Sequence, residues 1–159
     1  MSMLWAARAL GTGEVHRLRD DPDAAWDLLD DPDPGDDVVH LNKEWHGVHW
    51  LLTGTAWDAG GPLGQVILGG EEFGEDGGYG PPRLLAPADV ADLAAALRTL
   101  RRDELRSGFD PAALSAAGVY PDVWAEPNIV ESLLPYVEQL RAFYGAAADR
   151  GAWVLQAIV

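Results

Sequence analysis

The chain has 159 residues, 48% of them apolar, which suits one domain with a buried core and argues against disorder. Its 26 acids against 11 bases leave a formal charge of −15, so a nucleic-acid backbone is a poor partner; the absence of cysteine excludes disulfide scaffolds, thiolate metal sites and thiol nucleophiles. No apolar run approaches the roughly 18 residues of a membrane span, and Met1-Ser2-Met3-Leu4-Trp5 lacks the basic and long apolar parts of an export signal, so the expectation is a soluble cytoplasmic protein.

Residues 2–10 read as a strand, a short apolar run interrupted by Arg8 and stopped by Gly11. Thr12 is placed to cap a helix over 13–20 with Val15 and Leu18 inward, and Pro22 suits the first turn of a second helix carrying Ala25, Trp26 and Leu29. From Asp20 to Asp37 there are nine aspartates and no base, and Asp21-Pro22, Asp31-Pro32 and Asp33-Pro34 divide the stretch into turns. It reads as a solvated, self-repelling loop, with a docking face for a basic partner as the functional alternative. The glycine and terminal glutamate of a calcium-binding loop are missing from its register.

Residues 41–52 have the spacing of an amphipathic helix, with Leu41, Val48 and Leu52 on one stripe and His46, His49, Trp50 and Thr53 on another, ended by Gly54. A short helix over 63–68 leads into a loop, 69–80, with six glycines. The order helix, loop, strand is the wrong one for a phosphate cradle, which needs a helix N-terminus facing the anion, and no Gly-Lys-Ser/Thr is present. The loop instead reads as a flexible segment with several residues at positive φ.

Residues 79–86 look like a strand with Pro81 and Pro82 at its start, and Pro87 opens a helix lined by Val90, Leu93, Ala94, Leu97 and Leu100. Arg98, Arg101, Arg102 and Arg106 cluster at its end, where the macrodipole favours cations. Asp110-Pro111 starts a short helix ending at Gly118. The last helix starts at Pro127, is lined by Val130, Leu133, Leu134, Val137, Leu140 and Tyr144, and is expected to kink or break at Pro135. Residues 152–159 form a final strand apolar on both faces. The sum is an α+β domain over 1–159: a small sheet of about three strands, both terminal strands among them, packed against six or seven helices.

Several segments together resemble a known family. They are 44–54 (Glu-Trp-His-Gly-Val-His-Trp-Leu-Leu-Thr-Gly), Ile67-Leu68-Gly69-Gly70, Gly78-Tyr79-Gly80-Pro81-Pro82-Arg83-Leu84-Leu85, residues 90–100, Asp103-Glu104-Leu105-Arg106, Phe109-Asp110, Val119-Tyr120-Pro121 and Val123-Trp124. In their order and spacing the chain is similar to the bacterial YfbM-like family, a domain of unknown function, over nearly its whole length. The aspartate-rich insert before Leu41 and Pro135 depart from that pattern. The resemblance implies a small cytoplasmic α+β protein and no reaction.

The candidate chemistry is sparse. His46 and His49 are three apart on a helix, so both imidazoles can face one ligand, with Glu44, Asp58, Glu71 or Glu72 as a third group. A metal needs at least three converging ligands, and no His-Glu-x-x-His occurs, so no metal or cofactor is assigned; histidines flanked by Trp45 and Trp50 are ordinarily packing residues with a polar tip. Ser2, Ser107, Ser115 and Ser132 sit in no nucleophile elbow, and Thr53 is placed to bond back to the carbonyl of His49. Glu71-Glu72 and Glu75-Asp76 read as a charged loop. If Trp45, Trp50, Trp57 and Tyr79 meet in space they form an aromatic cleft.

The leading expectation is therefore a non-catalytic binding module for a basic protein partner, in one version an immunity-type protein masking a basic toxin. The alternative is a small-ligand binder or enzyme whose cleft is lined by His46, His49, Trp50, Thr53 and Tyr79. A homo-oligomer paired through a sheet edge or the last helix is a third reading.

Overall fold

The computed structural model describes residues 2–30 and 37–159. Strands β1 (Trp5–Leu10) and β5 (Trp153–Ile158) pair antiparallel, Trp5 opposite Ile158 and Leu10 opposite Trp153, so the two apolar terminal runs lie side by side. β2 (Val38–Leu41) joins the outer edge of β1, and β4 (Arg83–Leu85) with the two-residue β3 (Glu71–Glu72) extends the sheet beyond β5, giving the antiparallel order β2-β1-β5-β4-β3. The described residues thus form five strands rather than about three. β2 escapes notice because Leu41 also fits the helical stripe that follows it; pairing with Trp5 places Leu41 in the sheet, and the helix expected over 41–52 begins only at Trp45. β3 is two exposed glutamates, too short for any periodicity.

Eight helices are present among the described residues, one or two more than expected: α1 (Thr12–Asp20), α2 (Ala24–Leu29), α3 (Trp45–Thr53), α4 (Gly61–Leu68), α5 (Pro87–Thr99), α6 (Arg102–Gly108), α7 (Pro111–Ala116) and α8 (Ile129–Asp149). The arginine cluster is the reason for one of them. Leu100 and Arg101 are extended, so α5 stops at Thr99 and α6 restarts at Arg102. The carbonyls at the end of α5 are satisfied instead by Arg141 of α8, which donates to Leu97 and Leu100 (3.1 and 2.9 Å). α8 starts at Ile129 and runs unbroken through Pro135. That proline lies on the exposed face with Glu131, where water can take the carbonyl it leaves unbonded. At α1 the cap is Gly11 rather than Thr12, and the Glu14 carboxylate accepts from the Gly11 N–H (3.1 Å). The turns expected at Asp31-Pro32 and Asp33-Pro34 lie outside the described residues.

The sheet separates two apolar layers. On one face α1 and α2 bury Val15, Leu18, Ala25 and Leu29 against Ala6, Leu10, Leu84, Leu155 and Ala157. On the other, larger face α3–α8 pack on Trp5, Ala7, Ala9, Leu85, Val154 and Ile158. The alternation along β1 and β5 therefore serves both layers, as the two-sided apolar pattern of 152–159 predicts. No described helix is long and apolar enough to cross a membrane.

A buried polar side chain of the sheet faces the larger layer. Gln156 is fully buried at the centre of β5, and its amide donates to the carbonyls of Gln65 (3.1 Å) and Gly69 (2.7 Å), closing the C-terminus of α4. Gln156→Leu keeps the volume and strips the amide from both carbonyls; that of Gln65 still accepts from the Gly69 N–H (3.2 Å), while the buried Gly69 carbonyl loses its side-chain donor. Such groups cost about 1–3 kcal/mol when left unpaired, so a fall of that size is expected in the unfolding free energy from urea titration; an unchanged midpoint would show that the amide is dispensable.

Candidate functional site

α3 carries four of the five residues singled out from the sequence. His46 is fully buried. Its Nδ1 accepts from the Tyr120 N–H (2.9 Å), so the proton belongs on Nε2, which donates to the Ala56 carbonyl (2.7 Å). Both nitrogens are thus committed to backbone, and burial holds the ring's pKa below its usual value. His49 is equally buried, but neither of its nitrogens has a hydrogen-bond partner. Desolvation first, then the neighbouring His46, pulls its pKa down to about 4. The backbone and carboxylate of Asp58 oppose this; they lie close enough to weigh on the proton without forming a bond of acceptable geometry. Thr53 bonds back to the His49 carbonyl (2.9 Å), as its spacing predicts, and also contacts Thr55. Trp50 is half-buried against the larger core.

The loop after α3 is tied down by local bonds. The Thr55 hydroxyl accepts from the Asp58 N–H (3.1 Å) and the Asp58 carboxylate from the Gly60 N–H (2.8 Å). This turn lifts Trp57 out of the molecule, leaving it 61% exposed. Beneath it the rings are layered: Trp57 lies 4.3 Å from His46, which stacks on Trp45 at 4.8 Å. The Trp45 indole is pinned in turn by donation to the Met3 carbonyl (3.1 Å). His46 therefore acts as a buried strut under Trp57, with no face toward solvent.

Trp57 forms one wall of a cleft of about 630 Å³, together with Met3, Ala59, Leu68, Tyr79 and Arg83. Tyr79 arrives on the glycine loop, which Asp76 folds by accepting from the N–H groups of Gly78 (2.6 Å) and Gly80 (3.0 Å). Both glycines have positive φ, as expected of that loop. Glu72 and Arg83, directly opposite each other on β3 and β4, pair on one wall of the cleft (3.9 Å).

Of the five candidate residues, Tyr79 alone reaches this cleft. His46 and His49 are withdrawn because the stripe they share with Thr53 is covered by the 54–60 loop, which α3 turns back over itself at Gly54 (φ 73°). Trp57, which the sequence places with Trp45, Trp50 and Tyr79 in a candidate aromatic cleft, is the exposed wall. One signal marks it: an indole within Thr53-Gly54-Thr55-Ala56-Trp57-Asp58-Ala59-Gly60 has no helix face or strand face to bury against. No group of three or more His, Cys, Asp or Glu side chains among the described residues is placed to hold a metal.

A second cleft, of about 400 Å³, adjoins the first. It is lined by Leu4, Trp26, Asp27, Asp30 and Val159, and it shares Tyr79 and Ile158 with the first. No local pattern points to it, since α2 and the ends of β1 and β5 come together only through the sheet.

A family model described as a domain of unknown function (DUF1877) matches residues 1–157. Among solved structures, that of YfbM from Escherichia coli, a protein of unknown function, is similar to this chain with a TM-score of 0.79 and 24% identity, covering 99% of this chain and 100% of the other. No curated protein matches the chain.

Proposed function

We propose, for a chain that belongs to the DUF1877 family and takes no activity from it, a non-catalytic binding module that holds a basic protein partner at the Trp57–Tyr79 cleft. One observation carries the reading. The exposed large hydrophobics among the described residues are Leu4, Trp57 and Val159, and all three open onto the two adjoining clefts. Apolar surface concentrated in one place marks a contact surface. The charge of −15 supplies the attraction for a basic partner and speeds its capture. An immunity-type protein masking a basic toxin is one form of this reading. A small-ligand site is the second reading, supported by a cleft of about 630 Å³, inside the roughly 300–1,000 Å³ range of ligand pockets.

The test is affinity capture from the source cells on wild-type and Trp57→Ala baits, at low and at high salt. A basic protein should be held by the wild type at low salt and released at high salt, with recovery on Trp57→Ala down about tenfold, as for an aromatic anchor. Recovery of no basic protein, or equal recovery on both baits, overturns the reading.

A further inference from the structure

Tyr79 and Ile158 line both clefts, so the two are neighbouring chambers that share a wall. The chambers differ in charge. In the first, Arg83 and Glu72 are the charged groups and they offset each other, leaving an uncharged space walled by Trp57, Met3 and Leu68. In the second, Asp27 and Asp30 are exposed and neither forms an ion pair with a described cation. The rings of Trp26 and Tyr79 lie in the same chamber. Trp26 is fixed by the glycine loop: a Cβ on Gly77 would fall 2.5 Å from its Cζ2, so that backbone lies directly on the indole. His40 is the remaining titratable side chain there, and its Nε2 is engaged with the Leu29 carbonyl (3.4 Å).

An apolar group entering the second chamber would strip water from two carboxylates and give them nothing in exchange. A cation would meet the carboxylates beside aromatic side chains, two kinds of group that compensate its own lost hydration. The first chamber has the opposite preference, since its internal ion pair leaves no charge to satisfy.

From this contrast we infer that the two adjoining chambers together bind an extended segment of the partner that places a guanidinium or ammonium side chain in the Trp26–Asp27–Asp30 chamber and an apolar side chain against Trp57. The inference rests on the cleft being the contact surface and adds the chemistry of what enters it. Such a segment crosses Tyr79, which both chambers share.

The experiment uses short capped peptides, each with one arginine and one leucine separated by zero to three alanines or glycines, titrated by calorimetry into the full chain. At least one spacing should bind the wild type. Replacing its arginine by citrulline, the neutral isostere, should weaken it about tenfold. The double variant Asp27→Asn, Asp30→Asn, which changes exposed side chains, should bind the arginine and citrulline peptides alike, while Trp57→Ala should lose sensitivity to Leu→Ala in the peptide. If citrulline binds the wild type as well as arginine does, or the double variant still discriminates, the charge assignment is overturned; a Trp57→Ala defect in the same titrations would then leave the contact surface standing. If no peptide binds at millimolar concentration, the inference fails and the capture experiment judges the contact surface by itself.

Discussion

Gly47→Ala is expected to destabilise the protein by about 3 kcal/mol, the upper part of the range for overpacking a core, although the same change on an open helix face is stabilising. The reason is Trp124. A Cβ on Gly47 would lie 2.1 Å from the Cη2 of that indole and 2.6 Å from its Cζ3. The ring cannot step aside, because it is fully buried and its Nε1 donates to the Val119 carbonyl (2.7 Å). Gly145 of α8 is the control, since a Cβ there meets nothing within 4 Å. Gly145→Ala should raise stability by about 0.5–1 kcal/mol through helix propensity alone. Urea unfolding of the two variants beside the wild type decides the matter. In melting temperature the Gly47 variant should fall by roughly 6–12 °C, at about 2–4 °C per kcal/mol for a chain of this size. If both alanines behave alike, Trp124 is not seated on α3. The consequence reaches the site. Trp124 anchors the irregular segment whose Tyr120 N–H holds His46, and His46 supports Trp57.

The strands and helices that sequence alone reveals are those whose pattern reflects a whole face of local structure. β1 and β5 are apolar at nearly every residue because each is covered on both faces, and α5 and α8 carry long stripes because each buries a full side. The resemblance to the YfbM-like family was legible in the same way, from motifs spread along the chain, and the match over residues 1–157 bears it out. What escaped depends on partners far away in sequence. Leu41 satisfies a helical stripe and a sheet register equally, and only pairing with Trp5 decides between them. The two histidines on α3 look like a site because helical spacing says which residues share a face, and nothing in that spacing says what covers the face. A loop of seven residues covers it here, and the exposed aromatic surface is the indole that loop carries. The second chamber is the extreme case. It joins Trp26 of α2, Tyr79 of the glycine loop and the ends of β1 and β5, and no local pattern links them.

Acid should destabilise this protein earlier than its carboxylates alone would require, and His49 is the cause. Burial and His46 hold its pKa near 4 in the folded state, against about 6.5 in the unfolded chain. Between those values the unfolded state binds the proton and the folded state does not. Stability is therefore fully present above about 6.5 and is lost as the pH falls toward 4. At pH 5 the loss from this residue comes to about 2 kcal/mol, an order-of-magnitude figure from linkage. His46, depressed in the same direction, adds to it. Glu131, which Arg106 holds below its ordinary range, loses its contribution only at lower pH, and it is exposed. The net charge of −15 works the other way, because acid relieves self-repulsion as the chain approaches its isoelectric point. The informative quantity is thus the difference between the wild type and His49→Phe, a variant that cannot take up the proton. Melting curves from pH 7.5 to 4.5 should show the wild type falling relative to His49→Phe by roughly 4–8 °C at pH 5. Parallel profiles would mean that His49 is charged in the folded protein, or reaches water, and that α3 does not bury its imidazoles under the Trp57 loop.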